Sequence, residues 1–196
     1  DSYEFSSGEV VEVAGNRKLY AYSPSQENKI MQDAATASPI FRKEFTLDGK
    51  VKSAKLYTSA LGVYNVYVNG QRVGHQQADG SMIYDELMPG WSDYRSTVFY
   101  LTHDVTSLLR EGKNALGAIV SNGWWNGAVS HGIYGSSGVA FIGKLVVELE
   151  NGEVVTLVTD QSWLNSRRSA VKSGEIYHGE VYDARLADGW SQPGYD

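Results

Sequence analysis

Apolar and polar residues alternate along much of this chain. Tyr64, Val66 and Val68 fall on one face of an extended segment, with Asn65, Tyr67 and Asn69 on the other. That two-residue period is the pattern of a half-buried strand. Asn69-Gly70 follows at once, and Gln71, Arg72 and Val73 lead back. An Asn-Gly pair between alternating segments accepts the positive φ of a tight turn and predicts a β-hairpin. The same arrangement recurs at Asn151-Gly152, between residues 145–150 and 153–158. Further strands are predicted over 40–45, 54–58, 98–102 and 115–120. Residues 104–110 give the best helical signal: Asp104 as a cap, Leu108-Leu109 as an apolar step and Gly112 at the end. They predict one or two turns. Many short strands with glycine-rich connections predict an all-β sandwich with few short helical turns. The opening stretch is less regular. Residues 10–13 and 18–22 are expected as edge strands and 32–37 as a linker, which divides the chain into an extension over 1–38 and a sandwich over 39–196.

Composition narrows the function. The 196 residues are 42% hydrophobic and 12% aromatic, enough for a core. With no cysteine, disulfides, thiolate nucleophiles and cysteine-based zinc sites are excluded. A net charge of −6, with no basic cluster beyond Arg167-Arg168, fits a phosphate backbone poorly. No nucleic-acid partner is expected. No apolar run approaches the roughly 20 residues of a membrane-spanning helix. The chain opens on Asp1-Ser2-Tyr3-Glu4 without an initiator Met, and is expected to be a processed protein or an excised piece of a longer one.

Candidate chemistry lies in the loops. Gly90-Trp91, Gly123-Trp124 and Gly189-Trp190 all stand in polar, turn-rich stretches, and Asn122 and Trp125 flank the second pair. An indole plate beside amides and carboxylates suits the CH faces and hydroxyl edges of a pyranose; the alternative is that the indoles close the ends of a core. Gly135-Ser136-Ser137-Gly138 has the wrong spacing for a nucleophile elbow. His75, His103, His131 and His178 are scattered, without the i, i+4 pair of a helical zinc site, and are expected as surface or turn residues. The carboxylates Asp85-Glu86, Glu175, Glu180 and Asp183 read as solvated or turn-capping groups. Glu180, Asp183 and Arg185 suit an ion-pair set on an extended segment. Asp85 and Glu86 also offer oxygen ligands for calcium.

Several stretches, in order, resemble one family. They include Asn69-Gly70-Gln71-Arg72-Val73-Gly74, Leu87-Met88-Pro89-Gly90-Trp91-Ser92-Asp93-Tyr94, Asn114-Ala115-Leu116-Gly117 through Asn122-Gly123-Trp124, and Thr159-Asp160-Gln161-Ser162-Trp163. The most specific is Tyr177-His178-Gly179-Glu180-Val181-Tyr182-Asp183-Ala184-Arg185. Together, from about Ile40 to Trp190, they resemble the N-terminal β-sandwich domain of bacterial α-L-rhamnosidases, glycoside hydrolase family 78. The resemblance implies a jelly-roll sandwich of galactose-binding-like type. It places catalysis in a downstream (α/α)₆ barrel of the same polypeptide, so that the acid and base map onto no residue here. The chain is then expected to be an ancillary, non-catalytic domain of an exported enzyme, periplasmic or at the cell surface, that removes terminal L-rhamnose. Some relatives of this sandwich bind L-rhamnose through calcium, an aspartate, amides and an aromatic plate. Asp85 keeps its distance to Pro89-Gly90-Trp91, but residues 75–84 intervene after Gly74, Glu86 replaces an amide and Gly132 replaces an Asn. A calcium-assisted module is the alternative expectation. Its metal ligands would be Asp85 and Glu86, and its sugar-binding residues Asp85, Glu86, Trp91, Asn122, Trp124 and Trp125. A third is a sandwich that only docks on its own barrel.

Overall fold

A computed structural model describes residues 2–4, 10–12, 37–130, 134 and 138–195. The chain falls into two compact units, Asp1–Thr36 and Ala37–Asp196. In the first, β1 (Ser2–Glu4) pairs antiparallel with β2 (Val10–Glu12). The strand expected over 18–22 and most of the linker expected over 32–37 lie outside the described residues.

The second unit is a sandwich of two antiparallel sheets. Its strands are β3 (Ile40–Leu47), β4 (Val51–Leu61), β5 (Val63–Val68), β6 (Gln71–Arg72), β7 (His75–Gln76), β8 (Met82–Ile83), β9 (Leu101–Asp104), β10 (Gly112–Ser121), β11 (Ala140–Leu149), β12 (Val154–Val158), β13 (Leu164–Ser166), β14 (Val171–Glu175) and β15 (Gly179–Tyr182). One sheet runs β13-β3-β10-β5-β6 and the other β12-β11-β4-β9; β7-β8 and β14-β15 are separate ribbons. The all-β expectation holds.

Alternation fixes which face each strand buries. Tyr64, Val66 and Val68 of β5 meet Leu116, Ala118 and Val120 of β10 in one core with Leu56 and Ala60 of β4 and Leu145, Val147 and Leu149 of β11. A one-residue slip would turn each set to water, so the register is specified. The Asn-Gly turns behave as their chemistry requires. Asn69 (φ 51°) and Gly70 (φ 85°) join β5 to β6, and Gly152 (φ 88°) turns β11 into β12.

Two local expectations change. The helical signal over 104–110 gives only a 3₁₀ turn, Thr106–Leu108. Asp104 pairs with Lys55 in the β4–β9 ladder, and its Oδ1 accepts from Thr106 N at 3.1 Å, so it ends a strand rather than capping an α-helix. The strand expected at 98–102 begins at Leu101, because Val98, Phe99 and Tyr100 lie exposed outside the ladder.

Candidate functional site

The segment carrying Asp85 and Glu86 is anchored to β5: Tyr64 N donates to the Met88 carbonyl at 3.0 Å. The two carboxylates face different cations. Arg72 Nη2 lies 3.1 Å from Glu86 Oε2 and donates to the Asp85 carbonyl at the same distance. Tyr84 covers that guanidinium, 4.8 Å from its ring centroid. The Asp85 carboxylate turns instead to His75 Nε2, at 2.8 Å.

His75 reaches Asp85 because β7 and β8 form a short ribbon. Asp79-Gly80 makes its turn: Asp79 Oδ1 accepts from Ser81 N at 2.9 Å and Gly80 takes φ 86°. Gly74 lets the ribbon start close to the chain, since a Cβ there would stand 2.5 Å from the Ile83 carbonyl oxygen. Asp-Gly is a hairpin signal in its own right, and reading it would have set residues 75–76 opposite 82–83.

Beneath this pair lies His103 of β9, 2% exposed, against the expectation of a surface or turn residue. Its place in β9, opposite Leu56 in the ladder, carries it between the sheets. His103 Nε2 lies 3.2 Å from Thr58 Oγ1, which is 2.7 Å from the Tyr64 hydroxyl. His103 Nδ1 is buried and has no partner. Burial lowers the pKa of His103, opposed by Asp85, and pushes that of Tyr64 up to about 12. One ligand atom each from His75, Asp85 and His103 lies within 4.8 Å of the others. Glu86 is outside this group.

The tryptophans sit in different surroundings. Trp91 is exposed. Trp124 is half-buried. Trp125 Nε1 donates to the Gly138 carbonyl at 2.7 Å, and its ring meets Tyr94 edge-on at 5.4 Å and Tyr134 in a stack at 6.5 Å. Asn122 closes a turn, accepting from Asn126 N at 3.1 Å. Trp190 packs on the outer face of the five-stranded sheet, edge-on to Tyr67.

A cleft of about 240 Å³ opens between β5, β10 and the β14–β15 ribbon, lined among others by Asn65, Glu86, Leu87, Ser121, Glu175 and Glu180. Of the six residues expected to bind sugar, Glu86 alone lines it. Glu175 is the turn-capping carboxylate the sequence suggested: Oε2 accepts from Ala128 N at 2.9 Å, and Oε1 accepts from His178 N. Of the ion-pair set expected from Glu180, Asp183 and Arg185, Asp183 and Arg185 pair at 2.8 Å, with Arg185 in a 3₁₀ turn (Ala184–Leu186) and not on an extended segment. The rest of that motif is turned to solvent, with Tyr177, Val181 and Tyr182 exposed along the ribbon.

Residues 49–196 match the family model of the α-L-rhamnosidase N-terminal domain. The α-L-rhamnosidase of Streptomyces avermitilis, solved with L-rhamnose, is 40% identical and superposes with a TM-score of 0.69 over 82% of this chain and 15% of its own. For the Dictyoglumus thermophilum enzyme the values are 34%, 0.69, 82% and 16%. An α-L-rhamnosidase of Alteromonas sp. (strain LOR) is 32% identical over 182 residues, 89% of this chain and 18% of the relative. The chain thus spans less than a fifth of the length of these relatives. It belongs to the α-L-rhamnosidase N-terminal domain family.

Proposed function

We propose that this chain is the ancillary, non-catalytic sandwich of an α-L-rhamnosidase that removes terminal L-rhamnose, and that it docks on the enzyme's catalytic region through the β14–β15 ribbon. The observation that carries this reading is the exposure of Tyr177, Val181 and Tyr182, at 66%, 55% and 55%, inside the most family-specific stretch of the sequence. Aromatic and β-branched side chains kept on one exposed ribbon suit a buried interface. Two of the three acids lining the neighbouring cleft support a non-catalytic role: Glu175 is spent on backbone amides and Glu86 on Arg72.

The test is complementation. The 196-residue chain alone should not hydrolyse an aryl α-L-rhamnoside. Mixed with the remainder of the protein made as a second chain, it should bind, and Val181→Asp with Tyr182→Ala should abolish that binding. Turnover by the isolated chain, lost on Glu175→Gln or Glu180→Gln, would overturn the proposal.

One observation favours a second reading, a weak sugar-binding surface: the 59% exposure of the Trp91 indole. L-Rhamnose should then quench Trp fluorescence at about millimolar concentration, with or without calcium, and Trp91→Ala should remove the response. An unchanged signal rejects this reading.

A further inference from the structure

We propose that His75, Asp85 and His103 form a binding site for a divalent transition-metal ion of the Zn²⁺ type, which clips the β7–β8 ribbon to β9. Two independent observations support it. The first is convergence: two imidazoles and a carboxylate from three separate parts of the chain bring one ligand atom each to within 4.8 Å of one another. The second is the state of His103, which is almost wholly buried yet leaves Nδ1 without a partner. Buried polar atoms are nearly always bonded, so an unused imidazole nitrogen on a histidine grouped with a second imidazole and a carboxylate calls for an explanation.

The donor set selects the ion. Nitrogen ligands suit Zn²⁺, Cu²⁺, Ni²⁺ and Co²⁺; calcium and magnesium take oxygen ligands. Two His and one Asp are three of the four ligands of a tetrahedral zinc, with water free to supply the fourth from the exposed side, where His75 and Asp85 meet solvent. An outer shell is in place. Thr58 Oγ1 sits 3.2 Å from His103 Nε2 and is tied to the Tyr64 hydroxyl, so one nitrogen of His103 can stay on Thr58 while the other takes the ion. The hydrogen bond between His75 and Asp85 marks the exchange: its proton leaves and the cation takes its place. The clip would hold an otherwise exposed ribbon against the edge of the four-stranded sheet.

The experiment titrates the 196-residue chain with ZnCl₂, and separately with CoCl₂, in a non-chelating buffer near neutral pH. One equivalent of Zn²⁺ should bind. At about a hundred-fold excess over Kd the melting temperature should rise by roughly 5–10 °C and return to its starting value with EDTA. Co²⁺ should give the visible absorption of a low-coordinate nitrogen–oxygen site, and Ca²⁺ should neither bind there nor compete. His75→Gln and Asp85→Asn alter exposed side chains and should leave the metal-free melting temperature nearly unchanged, while each weakens Zn²⁺ binding at least about ten-fold. No Zn²⁺ binding at millimolar concentration would overturn the proposal. So would binding that both variants leave intact, since the ion would then sit elsewhere, for example at His178 and Glu175.

Discussion

Trp190 closes over Gly117, and the missing side chain at position 117 is what admits it. A Cβ on Gly117 would lie 2.5 Å from Trp190 Cζ3 and 2.9 Å from the Phe41 carbonyl oxygen. Arg42 holds the indole's backbone in place: Nε donates to the Trp190 carbonyl at 2.7 Å, and Nη2 to that of Gln192 at 2.9 Å. The last residues of the chain thereby cover the outer face of β10, which explains why Asn114 to Ala118 are buried in succession and not alternately.

Gly117→Ala should therefore destabilise the sandwich by about 1–3 kcal/mol, the ordinary cost of overpacking a fitted site. Neither the neighbouring backbone nor a large ring can yield without cost. Urea unfolding followed by Trp fluorescence measures it. Stability equal to the parent would show that the indole does not sit on β10.

Asn114 is wholly buried, and both ends of its amide are used. Nδ2 donates to the Arg110 and Gly112 carbonyls at 2.6 and 2.9 Å; Oδ1 accepts from Arg110 N at 3.1 Å and Asn69 Nδ2 at 2.8 Å. Asn114→Leu keeps the volume but strands these partners at the start of β10. A loss of about 2–4 kcal/mol is expected, read from the urea midpoint at constant m-value. A change under half a kcal/mol would mean that water replaces the amide.

Acid should reveal the β4–β9 edge. The hydrogen bond from Lys55, then those from the Thr106 side chain and backbone, hold the Asp104 carboxyl down to about 2, from 3.8 when unperturbed. The unfolded chain takes up this proton first, so the contribution is complete above about pH 5 and is lost as the pH falls through the folded value. Asp104→Asn should flatten the fall in stability between about pH 4 and 2, seen as urea midpoints at each pH. Because Asp104 is largely exposed, about 1 M NaCl should shrink the difference. Parallel profiles for parent and variant would contradict this account.

What the sequence disclosed was local chemistry, and what it withheld was distance. Asn69-Gly70 and Asn151-Gly152 announce their hairpins because the turn needs backbone angles that few residues accept. The alternation through Tyr64, Val66 and Val68 announces a face. No such rule joins His75 to Asp85 and His103. These residues meet only because a ribbon folds over a strand of the other sheet, and the spacing between them carries no period. The tryptophans mislead for a related reason. Trp91, Trp125 and Trp190 share a Gly-Trp or Trp-Trp setting in the sequence, yet one is exposed, one is stacked in an aromatic cluster and one packs on a sheet. Burial is set by what arrives from elsewhere in the chain.

Leu87 gives the sharpest test of the docking surface. It adopts φ 54°, a left-handed conformation disfavoured for a side chain with a Cβ, and it is 49% exposed beside Glu86 on the rim of the cleft. The isolated domain gains little from it: the left-handed backbone costs about 1–2 kcal/mol, and half of the side chain stays in water. Leu87→Gly removes that cost at the smaller expense of greater freedom in the unfolded chain. The isolated sandwich should therefore become more stable by about 0.5–1 kcal/mol. If the cleft rim and the β14–β15 ribbon together meet the catalytic region, the same change should weaken association with the remainder of the protein. Both quantities can be measured on one variant, by urea unfolding of the domain and by titration against the second chain. A more stable domain with undiminished association would take Leu87 out of the interface, and a less stable domain would show that its backbone is not strained.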